Sequence, residues 1–563
     1  MRRSVWLLPL ALGLLAGCDS GSSGGTAGSA DVPVKVPTFP TPLASSAISE
    51  ADARRLLDQM SFGPSDDAVR MVMQMGAAPY VEREFSLTAS NYAGFSYENP
   101  DSSIGCPTGA PNTCFRDKYT LFPLQQRFFL NAINNNDQLR QRTAFALSQI
   151  LVTSGVSGIS QPYAMAAYQQ IFLDNAFGNY RDILLQVTLS PAMGDYLDMV
   201  NNDKPNPKAG IESNENYARE ILQLFSIGLW KLNPDGTQQL DANGKPIPSY
   251  SQDNVIAFAH AFTGWTYPPL PGATSKWTNP RNYTGLMVPF ETHHDTSTKQ
   301  LFDNVQFPGG QTAAVDLNAA ITAIFNHPNV GPFIGKQLIQ HLVTSNPSPA
   351  YVARVTAAFN DNGQGVRGDM KAVLRAILLD NEARGDRKDD PAYGKMREPI
   401  LYELGLIRAL AISSDGLYPR AQAAAMAQDI FNSPTVFNYY PPDFPLPNST
   451  LLGPPFGIYN ATTAFARANF ANSVFSQNGV GPDSSVVGSI GTKSNWTYWQ
   501  ALAADPNQLV ERINTLLFHG TMSSDTRSTI MTAVQALPAS SSFDRARTAL
   551  YLAATSPQYQ IQR

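Results

Sequence analysis

The sequence predicts a mainly α fold: a large multi-helix body with long ordered loops rich in Pro, Gly and aromatic residues. Two observations predict it. Apolar residues recur at spacings of three and four in stretches such as DQLRQRTAFALSQILVTSG and GDMKAVLRAILLDNEA, the period of a helix with one buried face. Strand-like alternation is scarce, and hairpin-closing dipeptides such as Asn-Gly are few.

The N-terminus comes first. MRRSVWLLPLALGLLAGCDS has two arginines and then an apolar run of about a dozen residues, the length of a signal-peptide core. That run is too short to span a bilayer, which takes roughly 20 apolar residues. Ala16 and Gly17 before Cys18 resemble a bacterial lipoprotein signal, which implies residues 1–17 as a cleaved signal peptide and lipidation of the Cys18 thiol, palmitate included. Several acyl chains on one cysteine anchor a protein stably. The expected location is the bacterial cell envelope, on the inner or the outer membrane. Residues 18–47 are rich in Gly, Ser, Ala and Pro and cannot bury enough apolar surface to offset their ordering, so they read as a flexible tether.

Residues 48–563 form the body, read as one large domain with two lobes. SEADARRLLDQMS opens it with Ser49 as N-cap and Asp52 three residues on. PAYVARVTAAFNDNG, NQLVERINTLLFHG and SSDTRSTIMTAVQAL follow the same helical period, several of them stopping at Gly or Asn. Between them lie long connections at 93–118, 231–252, 266–311 and 438–458, whose aromatic content predicts loops packed onto the helices. In an oxidising compartment Cys106 and Cys114 are expected to pair as a disulfide closing a Pro/Gly loop. A net charge of −5 without a basic tract argues against a nucleic-acid partner.

NENYAREILQLFSIGLW, Asn214 to Trp230, concentrates charge in a chain with only 15% charged residues. On a helix, Tyr217, Ile221, Leu222, Leu224, Phe225, Gly228 and Leu229 share one apolar arc, while Glu215, Asn216, Arg219, Glu220 and Gln223 fill the other. Asn214 suits the N-cap, and Glu215 and Arg219 are placed to pair across one turn. A solvated face explains this pattern without function.

The block GIESNENYAREILQLFSIGLW, followed by YSQDNVIAFAHAFTGWTY, resembles the family known as domain of unknown function 1800, large exported bacterial proteins. The likeness runs on through ARRLLDQMSFGPS, DQLRQRTAFALSQI, the HHDTSTK segment, HPNVGPFIGKQLIQHLV, KMREP, SPTVFNYYPPDF and SPQYQIQR. FNYYPPDF departs from members that carry a Trp-Pro pair, and many members lack the lipoprotein signal. The resemblance implies an envelope address and a helical architecture but no reaction. Members are often encoded beside exported phosphatase- or sulfatase-like proteins, which implies such a partner and work on a polymer such as a polysaccharide.

The candidate chemistry lies in two places. At the helix head, Glu215 and Glu220 are candidate acids or bases, Arg219 their orienter, and Asn216 a binding residue. In VPFETHHDTSTKQLF, His293, His294 and Asp295 are candidate ligands of a divalent metal, His294 and Asp295 also candidate catalytic groups, and Lys299 a binding residue. Adjacent His side chains on an extended segment point to opposite faces, which favours only one of them entering a site. Trp265 and Tyr267 are the candidate aromatic binding residues, suited to a carbohydrate beside paired acids. Of the other histidines, His260 reads as a core residue, His327 as preceding a helix start, and His341 as a cation at a helix C-terminus. Residues 48–563 hold no nucleophile-elbow, zinc-protease or phosphate-loop motif.

Two readings follow. One is an enzyme or metal-dependent site acting on an envelope polymer, with the helix head and the His-Asp loop converging on one cleft. The other is a non-catalytic binding, scaffold or assembly protein, in which the same groups fix helices and loops.

Overall fold

A computed structural model describes residues 48–388 and 390–563. The expected signal peptide, Cys18 and the expected tether lie outside the described residues. Among those described there are 23 α-helices and eight strands of two to four residues, so the fold is mainly α. No described helix is long and apolar enough to cross a membrane.

The helices form where the apolar period predicts them. DQLRQRTAFALSQI gives the helix Gln138–Ile150, buried on nearly every side including Arg140 and Arg142. Pro349–Asn360, Met370–Leu378, Pro506–Phe518 and Ser524–Gln535 match the other periodic stretches. Glu50–Met60 starts at Ser49, whose Oγ accepts from the Asp52 amide at 3.1 Å. The reciprocal half of that cap differs from a capping box, because the Asp52 carboxylate accepts from the Ser49 hydroxyl at 2.6 Å instead of reaching the backbone.

Three apolar clusters hold the body together. The largest gathers Phe129, Phe172, Tyr180, Phe225, Phe258, Leu338 and Tyr351. A second, around Tyr402, Phe470, Val510, Ile513 and Leu550, belongs to the C-terminal helices. A small third one joins Glu50–Met60 and its neighbours to Leu139 and Leu378. At about 25 cal/mol per Å² of apolar surface, burial on this scale dominates the favourable side of folding.

The long loops are ordered by small devices. Segment 93–118 carries the short helices Ser102–Gly105 and Cys114–Tyr119, and Cys106 and Cys114 are joined by a disulfide. Segment 266–311 holds the strands Val288–Pro289, paired with Trp265–Thr266, and Lys299–Phe302, paired with Val305–Phe307. Near the end, Lys395–Met396 pairs antiparallel with Ile561–Gln562, so the C-terminus is knitted back into the body.

Candidate functional site

The helix Asn216–Gln223 sits where the apolar arc predicts, with Tyr217, Ala218, Ile221 and Leu222 buried. Asn214 Oδ1 accepts from the Asn216 amide at 2.8 Å, but the N-cap falls one residue later than the sequence predicts, at Glu215, whose side chain makes no cap bond. Gly228 ends the segment at φ 72°, and a Cβ there would meet the Phe333 ring at 2.6 Å, so both conformation and space demand glycine.

The charged residues of this helix go three ways. Arg219 Nη2 donates to Glu215 Oε2 at 2.7 Å, both side chains being over 30% exposed, and Gln252 ties the pair to the next helix through bonds of 3.1 and 2.8 Å. This is a solvated brace worth a few tenths of a kcal/mol. Asn216 Nδ2 donates to Asp198 Oδ2 at 3.1 Å. Glu220 is half-buried, its Oε2 has no hydrogen-bond partner, and burial raises its carboxyl against the opposing Arg219 charge.

His293, His294 and Asp295 do not converge on one metal. His293 faces outward, where its Nδ1 lies 2.8 Å from Asp203 Oδ2 and its ring stacks on Trp277 at 4.1 Å. His294 is fully buried, with Nε2 3.1 Å from Asp316 Oδ2 and Nδ1 3.1 Å from the Thr263 carbonyl. Asp295 pairs instead with His260 Nδ1 at 2.9 Å. Burial alone would raise the Asp295 carboxyl, but bonds from His260 and Ser297 hold it well below the usual carboxylate range. The local backbone explains the split: His293 closes the 3-10 turn Glu291–His293, and His294 leaves that turn in an extended conformation, so the two side chains part. Among the described residues, no group of three or more His, Cys, Asp or Glu is placed to hold a metal ion.

Lys299 is buried and donates to Asp316 Oδ2 at 2.8 Å and to the Asp295 carbonyl at 2.5 Å. The His294–Asp316–Lys299 cluster therefore pins the loop onto the helix Ala313–Asn326 instead of facing a ligand. Gly264, of the Thr-Gly-Trp motif, makes this close approach possible: at φ 82° a Cβ would lie 2.9 Å from the His294 backbone nitrogen. Trp265 is buried in the core. His341, read from sequence as a helix-terminal cation, is buried, and burial pushes its imidazole down to about 3, so it is neutral. His260 is partly exposed and paired, not a plain core residue.

One predicted residue, Tyr267, lines an open depression, and two others touch its wall. This depression, of about 620 Å³, is lined by Asp195, Asp198, Asp203, Glu212, Asn201 and Tyr267, among others. Asn216 reaches it through Asp198, and His293 through Asp203. Asp195 accepts from the Tyr283 hydroxyl at 2.5 Å and from Arg281 at 3.4 Å. Asp198 and Asn201 stand at φ 59° and 60°, conformations costly for residues with a Cβ. Glu215, Glu220, His294 and Asp295 do not line it.

Sequence reasoning missed two features. KMREP forms a buried ionic centre in which Arg397 makes a two-pronged bond to Asp58, at 2.7 and 2.5 Å, across 339 residues of chain. Lys395 donates to the His341 carbonyl at 2.5 Å and lies 3.8 Å from Glu398, while Tyr440 and Gln428 donate to Glu398 at 2.7 and 2.6 Å. Burial, partly offset by Glu398, brings the Lys395 amine down to about 7. The cavity beside it is about 30 Å³, the volume of one water. The second feature is an open groove of about 1240 Å³ beside the helix Ala313–Asn326, lined by Arg181, Lys231, Tyr250, Phe302 and Thr322 among others. The concentration of charge in KMREP was a usable signal for the first, whereas the groove has no linear signature.

No curated protein and no solved structure matches this chain. One family does match, over residues 55–561, which is nearly the whole sequence. The chain therefore belongs to the family described as Protein of unknown function (DUF1800).

Proposed function

We propose that this protein is a lipid-anchored component of the bacterial cell envelope that holds a hydroxyl-rich polymer, a glycan strand, in the acidic depression. The observation that carries the reading is the make-up of that depression: carboxylates and amides for sugar hydroxyls, with Tyr267 in its wall. The stacked pair of His293 and Trp277, bonded to Asp203, extends it with an aromatic shelf. Binding is favoured over turnover because Asp195 is already committed to Tyr283 and Arg281, and because His294 and Asp295 are engaged elsewhere. An exported phosphatase- or sulfatase-like protein acting on the same polymer is the partner this reading accommodates.

One observation favours cleavage as a second reading. Two non-glycine residues, Asp198 and Asn201, are held at positive φ beside the depression, and each such residue stores about 1–3 kcal/mol, as functional sites often do.

The test is calorimetric titration of the mature protein with envelope glycan fragments, with product release followed in parallel. Asp198→Asn and Asp203→Asn are each expected to weaken binding by about tenfold, or about 1.4 kcal/mol, without new reducing ends appearing. Release of products that stops in the same variants replaces binding by cleavage; absence of any glycan binding overturns both. For the anchor, Cys18→Ala is expected to move the protein from the membrane to the soluble fraction and abolish palmitate labelling.

A further inference from the structure

The segment 229–249 folds into a small meander of three strand-like runs. Backbone N–H groups join the runs pairwise, Gln239 donating to Lys231 at 2.8 Å, Lys231 to Ile247 at 2.8 Å and Ile247 to Gln239 at 3.0 Å. Asn329, itself buried, fastens the meander to the body: its Nδ2 donates to the carbonyls of Ile227 and Trp230, and its Oδ1 accepts from the Leu232 amide. The meander is therefore held in one place.

Its outer surface is apolar. Trp230 stands opposite Pro248, and Leu240 opposite Pro246. Residues two apart on an extended run leave on the same side, so Pro246 and Pro248 join the two pairs into one continuous face. Trp230 is 38% exposed and Leu240 56%, while Leu229, next to Trp230 in the chain, is 48% exposed. Neither Trp230 nor Leu240 lines the acidic depression or the groove beside Ala313–Asn326, so the face belongs to neither cavity and suits a broad partner.

Charge narrows the choice of partner. Lys231 and Lys245 are exposed and make no ion pair among the described residues. The two acids of the meander are engaged by its own turns, Asp235 accepting from the Thr237 amide and hydroxyl, and Asp241 from the Asn243 and Lys245 amides.

We propose that this face rests on the headgroup layer of a bilayer containing anionic phospholipid, the same bilayer that holds the anchor. The inference rests on the lipid-anchored reading above. Residues 18–47 separate the anchor from the body, and a Gly/Ser-rich chain of that length spans about 30 Å on average. The body is then kept beside the bilayer, where a contact too weak to recruit it from solution suffices to turn one face inward. An indole favours the membrane–water interface, leucine the acyl boundary just beneath it, and lysines at the edge meet lipid phosphates. Docking through the meander gives the body, and with it the acidic depression, one orientation on the membrane.

The experiment holds the mature chain, with hexahistidine in place of Cys18, on phosphatidylcholine vesicles carrying nickel-chelating lipid, with and without phosphatidylglycerol. Tryptophan quenching by brominated acyl chains is the readout. This attachment does not depend on natural lipidation, so the anchor reading is decided separately, by palmitate labelling at Cys18. Quenching that grows with phosphatidylglycerol and disappears in Trp230→Phe is expected. Leu240→Asp, at an exposed position, is expected to keep the parent's far-UV circular dichroism and lose most of the quenching. Without the histidine tag, Lys231→Gln and Lys245→Gln are each expected to weaken partition onto phosphatidylglycerol vesicles by roughly fivefold. No quenching in the parent, quenching that persists in Trp230→Phe, or quenching unchanged in Leu240→Asp overturns the proposal. Loss of glycan binding in Trp230→Ala, with no quenching on vesicles, assigns the face to the polymer and overturns it as well.

Discussion

Asp316 shows how much one buried carboxylate can hold. It is fully buried and accepts from His294 and Lys299, joining the 291–299 loop to the helix Ala313–Asn326. Burial opposes its charge, but the bonds from His294 and Lys299 outweigh that and lower its carboxyl. The stability it contributes is therefore present above the ordinary aspartate value of 3.8 and lost as pH falls through the lowered one. Asp316→Asn leaves Lys299 buried and unpaired, with an expected cost of about 3–5 kcal/mol in denaturant unfolding. Glu403 has the opposite sign. It is fully buried, neither carboxyl oxygen has a partner, and burial holds its carboxyl well above the usual range. Its stability is complete below the unfolded value of 4.5 and is lost as pH rises toward the folded one. Glu403→Gln is expected to flatten that loss, gaining more over the parent at pH 8 than at pH 5 in thermal melts. Asp316 carries no local sequence signal, because its partners arrive from a loop 17 to 22 residues earlier.

At the scale of elements, periodicity was enough to find the helices but not the role of their polar faces. The head of Asn216–Gln223 looks charged and site-like in sequence, yet Glu215 and Arg219 form an exposed brace. Glu215→Ala is expected to cost at most about 0.5 kcal/mol, or a Tm drop of about 0.5 °C in a body of this size. The 93–118 loop behaves differently. Its disulfide closes a span of eight residues between two short helices that bury little apolar surface. Such a loop gains roughly 2–3 kcal/mol from the constraint. Reduction is expected to open this segment to limited proteolysis first, while far-UV circular dichroism stays nearly unchanged. The order of this loop was legible because its cysteines are close in sequence. The order of 266–311 was legible only as aromatic content, since the groups that fasten it, such as His294 on Asp316, meet through the fold.

For the whole molecule, the two ends of the body are tied together. Arg397 joins Asp58 near the start, Lys395–Met396 pairs with Ile561–Gln562 at the end, and the buried Gln562 donates to the Leu342 carbonyl at 2.8 Å. Deleting residues 560–563 is expected to remove that strand pairing and lower Tm by several degrees, read by calorimetry as a change in the main transition. The sequence by itself determined the helical class, the helix positions, the disulfide and the family, because each depends on residues near one another or on blocks in linear order. Tertiary structure alone decided which charges are spent and which are free. Periodicity says that a residue faces inward, but not what it meets there. His294 and Asp295 found partners that engage them inside the fold, and Glu215 found one at the surface. Asp198 and Asp203, unremarked in the sequence, line the open depression, each bonded to a neighbour, Asn216 and His293.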